Sequence, residues 1–275
     1  MRFLLLFCAK IINNVFGYSK QNYKYFSSWK YVYQIGLLGM GRMQGNPIEA
    51  NGEINVIKMI VATVNEKLVI LDVGANKGQY SLHVMKQAFS GKKIDLHIFE
   101  PSSANIKILR DHFNIIKYPG NKFFINQLAL SDVNSQEFLY TDSAGSDLAS
   151  LLNLKIPIRP FDNSKKEKIE TMTLDNYFIK NDLKEVDFLK IDVEGAEYKV
   201  LSGGSKVIGE RRIKNIQFEF GAGNITSRVF FYDFWELLSS AYNFFQVLSR
   251  GLVPVDEYST DLEIFKTANY LLTLK

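Results

Sequence analysis

A chain of 275 residues, 47% of them hydrophobic, is long enough for one large domain or two small ones and can bury a substantial core. Its net charge of +4 is modest and its basic residues are dispersed, apart from clusters such as Lys165, Lys166 and Lys168 that read as a solvated loop, so no nucleic-acid partner is expected. A single cysteine, Cys8, excludes an intramolecular disulfide framework and suits the reducing cytoplasm.

Residues 3–9, FLLLFCA, are too short to span a membrane, and Lys10 followed by Ile11 and Ile12 leaves no clean cleavage site. The stretch reads as an uncleaved amphipathic helix that docks on the domain, with peripheral membrane contact through residues 1–17 as the alternative. Tyr23, Phe26, Tyr31 and Tyr33 read as a packing surface, and the glycines of residues 36–45 with Pro47 as a linker. Residues 1–50 are therefore expected to form a helical extension, and 51–275 the main domain.

From residue 51 helix and strand alternate, the pattern of a doubly wound parallel sheet. Residues 51–64 space their apolar side chains as a helix does, and the short run 68–71, LVIL, suits a central strand covered on both faces. Asp72 ends that strand, and Gly74 and Gly78 form a tight turn into a helix over 78–89. Such a turn lines a ligand crevice when it lies at the carboxyl edge of a parallel sheet, although two glycines four apart also serve simply to bend a chain. Residues 94–99 give the next strand, with Glu100 at its tip placed to accept hydrogen bonds from both hydroxyls of a ribose.

Ser102 is a candidate cap for the following helix, 122–130 a third strand, and 136–141 an antiparallel arm beyond it. The irregular segment 142–165 reads as a lid or substrate loop, or as an insert without structure. A short strand at 168–172 leads to a helix capped by Thr173. The fourth core strand, 186–191, delivers Asp192 to the same edge as Asp72 and Glu100, with Glu194, Gly195 and Glu197 in the turn and helix start beyond it. Strands over 213–220, with Glu219 near its end, 244–249 and 269–274 make seven, with a helix over 228–241.

Taken together, DVGANKG at 72–78, FEP at 99–101, TLDNYF at 173–178 and DFLKIDVEGAEYKVLSGG at 187–204 resemble the FkbM-type methyltransferases over residues 66–275. The resemblance implies an α/β class I methyltransferase (Rossmann-like) fold, a doubly wound sheet of seven strands with the last antiparallel. It also implies S-adenosylmethionine as cofactor and a hydroxyl oxygen as the usual acceptor. Carried over by position, Asp72, Gly74 and Gly78, with Ala75 and Asn76 between them, would surround the methionine and ribose of the cofactor. Glu100 beside Pro101 would hold the ribose, and the adenine would lie near Ala129 and Leu130.

Asp192 is the first candidate for acceptor contact or general base, with Glu194 and Glu219 as the other carboxylates at this edge; structural support is an equal reading for those two. The three could also hold a divalent cation, whereas His83, His97 and His112 fall in helices or mid-strand, where packing or surface roles are expected. A sugar, glycan precursor or other small hydroxylated metabolite is the expected acceptor. The competing readings are a non-catalytic cofactor-binding member of the fold and an NAD-linked dehydrogenase. The second is disfavoured because DxGxxxG lacks the third glycine that admits a pyrophosphate.

Overall fold

The computed structural model describes residues 26–42, 48, 50–63, 67–88, 92–115, 120–141, 149–153 and 165–275. The chain divides into two units, residues 1–43 and 44–275. In the first, helix α1 (Phe26–Gly39) ends where Gly41 N–H and Arg42 N–H fold back onto the carbonyls of Leu38 and Leu37. The helix runs through Gly36 and Gly39, so the expected linker glycines do not break it; the stop lies at Gly41. The expected packing surface is also corrected, since Phe26, Tyr31 and Tyr33 are more than half exposed. The expected helix at residues 1–17 lies outside the described residues.

The second unit opens with α2 (Glu53–Thr63), whose first N–H donates to the Asn51 side chain at 2.9 Å. Then follow β1 (Lys67–Val73), α3 (Gln79–Ala88), β2 (Lys93–Phe99), α4 (Ser103–Ile115) and β3 (Lys122–Asn126). A small excursion comes next: β4 (Ala129–Leu130), β5 (Gln136–Thr141) and β6 (Lys165–Met172), with β4 parallel and β5 antiparallel to β6. The chain returns through α5 (Leu174–Lys180), β7 (Phe188–Ile191), α6 (Glu197–Ser202), α7 (Ser205–Gly209), β8 (Asn215–Phe220), α8 (Gly223–Ser227) and α9 (Phe231–Leu238). It finishes with β9 (Tyr242–Leu248), β10 (Gly251–Val255) and β11 (Ala268–Leu274).

The main sheet has the order β10-β9-β11-β8-β7-β1-β2-β3. Strands β3, β2, β1, β7 and β8 are parallel neighbours, and β11 runs antiparallel between β8 and β9. This is the doubly wound sheet with an antiparallel last strand. It holds eight strands, not seven, because β10 pairs back on β9 at the edge, the one place in a sheet where Pro254 costs no ladder hydrogen bond. The expected third strand splits as well. Asn126 turns its side chain back to the Phe124 and Ile98 carbonyls, ending β3, and Ala129 and Leu130 pair with β6 in the separate three-stranded sheet. Lys165 and Lys166 lie exposed in β6, where a loop was expected, because the short strand expected from Lys168 begins three residues earlier.

Alternation along the strands sorts the core into two layers. Leu68 and Ile70 of β1 and Ile94, Leu96 and Ile98 of β2 face α2, α3 and α4; Leu71, Val73, Leu189 and Ile191 face the layer of α5, α6 and α9. Thr173 caps α5 as expected, accepting from Asn176 N–H at 3.2 Å. Thr173→Ala should lower stability by about 1 kcal/mol, read as a shift of the denaturant midpoint at unchanged slope.

Candidate active site

The sheet reverses its order of travel between β1 and β7: the chain moves from β1 outward to β2 and β3, then resumes at β7 on the other side. A crevice forms outside the carboxyl ends at such a point. Strand parity decides what lines it. Asp72, Lys190 and Gln217 stand opposite one another across β1, β7 and β8, all on the face covered by α2 and α3. Two residues on, Asp192 and Glu219 continue this face beyond the edge of β7 and near the end of β8. The row is a polar stripe in an otherwise apolar layer.

The stripe is held together by charge. Lys190 Nζ donates to Asp192 Oδ2 at 2.9 Å and lies 4.7 Å from the centre of the Tyr80 ring. The lysine side chain is only 4% exposed and Asp192 36%, so the pair runs from the interior to the cleft. Burial works to lower the Lys190 pKa, but Asp192, Glu53 and Asp72 outweigh it and hold the ammonium above its usual range. Glu53, reaching in from α2, accepts from Gln217 Nε2 at 3.0 Å. Burial raises the pKa values of both Glu53 and Asp72 against the pull of Lys190. Asp72 Oδ2 accepts from Ser81 Oγ at 2.6 Å, while its Oδ1 and the Tyr80 hydroxyl are buried with no hydrogen-bond partner among the described residues.

The glycine turn is built against this row. Gly74 has φ +84, and a Cβ there would lie 1.8 Å from the Asp192 carbonyl oxygen, so only glycine lets the β1 turn meet the end of β7. The N–H groups of Gly74 and Ala75 both donate to the Phe99 carbonyl at 3.0 Å, tying the turn to the tip of β2. Asn76 N–H donates to Glu100 Oε2 at 2.9 Å, and Ser102 N–H to Oε1 at 2.9 Å. Asn105 Nδ2 adds a longer bond of 3.4 Å to Oε1. Glu100 is thus fixed by the chain on both sides of the cleft, each carboxylate oxygen keeping acceptor capacity for a ligand. Burial raises its pKa, against those same hydrogen bonds.

Two clefts meet at Gly74, Asn76 and Asp192. The first encloses about 700 Å³ of empty space, its open mouth included, within the range of small-molecule sites. Its floor is Gly74, Phe99 and Glu100, and its apolar wall comes from Ala129, Leu130 and Leu139 of the small sheet and from Leu128 in the bend that leads into it. Ser150 closes a further side: its backbone pairs with Tyr140, and its hydroxyl donates to the Glu194 carbonyl at 2.9 Å. The second cleft is polar, lined by Asn51, Glu53, Lys77, Tyr80 and Lys190.

Behind the turn after β7, Glu197 accepts from the N–H groups of Val193 and Gly195 at 3.1 and 3.0 Å, and burial pushes its pKa up to about 7. Glu219 is raised well above the usual range by burial, then by Asp192, Glu194 and Glu197. Among the described residues no group of three or more His, Cys, Asp or Glu side chains is arranged to hold a metal ion, the alternative weighed for Asp192, Glu194 and Glu219. His97 is held by Tyr177 at 2.7 Å and stacked on Phe124, and burial lowers its pKa to about 4, as suits a packing histidine.

Of the residues singled out from sequence, Gly74, Asn76, Glu100, Pro101, Ala129, Leu130, Asp192 and Glu194 come together in the first cleft, and Ala75 lines the second. Asp72, Gly78 and Glu219 line neither. Asp72 sits beneath the turn, and Gly78 faces Leu109 of α4, whose Cδ2 is 2.5 Å from where a Cβ would stand. Lys190, Glu53 and Ser150 were missed. Lys190 was within reach, since K-I-D places it on the face of Asp192 by the two-residue period of a strand.

The family model for the methyltransferase FkbM domain matches residues 72–245. Among curated proteins, the 2-O-methyltransferase NoeI of Sinorhizobium fredii (strain NBRC 101917 / NGR234) is 26% identical over 154 residues, 52% of this chain. The match spans 60% of that protein's length. Among solved structures, the methyltransferase FkbM from Methylobacillus flagellatus KT aligns with a TM-score of 0.45 at 14% identity, covering 76% of this chain and 44% of that one. SMU.1697c, a putative methyltransferase from Streptococcus mutans in complex with SAH, aligns at 0.45 and 8% identity, covering 85% and 100%.

Proposed function

Because this chain belongs to the FkbM methyltransferase family, whose domain spans residues 72–245, we propose that it moves the methyl group of S-adenosylmethionine to a hydroxyl oxygen of a sugar, glycan precursor or similar small metabolite. One observation carries the reading: Asp192 lines both clefts, so a carboxylate stands where a donor in one meets an acceptor approaching from outside. The residues suit the cofactor. Glu100 offers two oxygens to a ribose diol, Phe99, Leu130 and Leu139 offer an apolar wall to a nucleobase, and the polar cleft offers the side chains of Asn51, Glu53 and Lys77 to an amino-acid tail. Lys190 lies buried at the base of that cleft, and Asp72 lies behind it, lining neither cleft.

When bound, the cofactor supplies an electrophilic methyl on a sulfonium, and the protein's part is to position an oxygen and take its proton. Asp192 accepts the acceptor hydroxyl's hydrogen bond and, as the new bond forms, the proton; Lys190 fixes that carboxylate in one orientation. Ser150 and the apolar wall narrow the way in for water. The curated relative named as a 2-O-methyltransferase supports oxygen as the acceptor atom.

The test supplies cofactor labelled in its methyl group with a panel of nucleotide sugars, glycans and small alcohols, and in parallel titrates S-adenosylhomocysteine and NAD by calorimetry. Label in a carbohydrate hydroxyl, with homocysteine-nucleoside binding and no NAD binding, is the expected result. Label in nitrogen or carbon acceptors alone, or binding of NAD in place of the nucleoside, overturns the reading.

A further inference from the structure

The first 48 residues hold six of the chain's 33 basic residues and none of its 29 acidic ones, so that stretch carries +6 and the remainder −2. The whole positive excess of the protein thus falls in the stretch of sequence that contains α1. On that helix Phe26, Trp29, Tyr31, Tyr33, Ile35 and Leu38 are exposed, Phe26 at 71% and Ile35 at 68%. At about 100° per residue, Ser27, Lys30 and Gln34 share one narrow arc, and the large apolar side chains occupy most of the rest. An exposed apolar surface of this breadth marks an interaction site.

We propose that α1 and the basic residues around it dock this protein on a membrane surface bearing anionic headgroups, with the helix lying in the headgroup plane. Three properties favour a bilayer over a protein groove. A groove selects one stripe of a helix, whereas lipid accepts apolar side chains over a wide arc. Tryptophan and tyrosine combine an apolar ring with a polar tip and concentrate at the boundary between headgroups and acyl chains. A stretch with six bases and no acid is complementary to anionic lipid along its length. The 14 residues of α1 rise roughly 21 Å, short of the ~30 Å hydrocarbon core, so the helix lies on a membrane and does not cross it. Among the described residues no helix is long and apolar enough to span one. The inference does not depend on the proposed reaction.

The chain has two tryptophans, so Trp235→Phe in the full-length protein leaves Trp29 as the reporter. Vesicles of phosphatidylcholine containing phosphatidylglycerol should shift its emission to the blue and carry the protein down on sedimentation; vesicles of phosphatidylcholine alone should do so weakly, and high salt should release it. Reversing charge at Lys20, Lys24 and Lys30 with glutamate should weaken partitioning more than ~10-fold. Replacing Tyr31 and Ile35 with serine should do likewise, with affinity for S-adenosylhomocysteine unchanged in both variants as the check on folding. Failure to bind anionic vesicles, or binding indifferent to charge reversal, overturns the proposal. So does a blue-shifted Trp29 without lipid in a protein that dimerises with concentration by light scattering, which would assign the face to a second copy.

Discussion

Glu100→Ala should lower affinity for S-adenosylhomocysteine by about 100-fold or more in a calorimetric titration, with only a small loss of thermal stability. The two effects separate because of where the carboxylate stands. Hydrogen bonds to a charged group contribute about 1.5–3 kcal/mol each, so losing both to a ribose diol removes roughly 3 kcal/mol or more of binding free energy. The native partners of Glu100 are backbone N–H groups of Asn76 and Ser102. Asn76 lines the cleft, where water can replace the carboxylate, and removing an acid whose pKa burial has raised relieves a desolvation cost. Glu100→Gln sharpens the measurement. An amide keeps one acceptor oxygen but turns an NH₂ toward one of the two N–H groups, so affinity should fall less than for alanine while the turn at Asn76 loosens. A loss under about threefold in Glu100→Ala would place the ribose elsewhere and take the cofactor reading of this cleft with it.

What the sequence made legible follows from the range over which each signal acts. The run LVIL announces a buried strand by itself, and Asp72 and Gly74 mark its end, because strand, turn and helix start are consecutive in the chain. Asp192 was equally plain, standing directly after the apolar run of its own strand. By contrast, Lys190 and Glu53 become a pair only when β7 sits beside β1 and α2 crosses that face; periodicity tells which face a side chain takes, not which element lies over it. Gly78 shows how one residue can answer to two constraints. Its spacing from Gly74 suits a ligand turn, while its φ of +85 and the Leu109 side chain, 2.5 Å from where a Cβ would stand, also call for glycine there. The strand at 122–130 was read as one because its apolar residues are continuous, and only the Asn126 side chain, folding onto two carbonyls, shows why the chain leaves the main sheet there. Glycine was overweighted at 36 and 39, where a helix tolerates it at about 1 kcal/mol each, and Pro254 concealed β10 because a proline in a run argues against any strand but an edge one.

Asp192→Asn should reduce kcat by about 100- to 10,000-fold, the contribution typical of a positioned general base, with cofactor affinity changed only severalfold. Affinity is spared because the part of Asp192 that abuts Gly74 is its carbonyl, which the substitution leaves in place. The buried Lys190 loses its nearest carboxylate but keeps Glu53 and Asp72, and Asp192 is itself 36% exposed, so the fold should lose about 1–3 kcal/mol and survive. Lys190→Met separates proton transfer from orientation. It frees the Asp192 carboxylate from its 2.9 Å partner without removing it, so kcat should fall less than in Asp192→Asn. Single-turnover rates at saturating cofactor isolate the chemical step from product release. If Asp192→Asn retains more than a tenth of the wild-type rate under those conditions, Asp192 is not the base. Glu219 then becomes the test of choice: it lies on the same face of the sheet, and burial and its neighbouring carboxylates already raise it toward the protonated form. Its Gln variant should shift the pH at which the rate is half-maximal, whereas a purely structural Glu219 would change stability and leave that midpoint where it was.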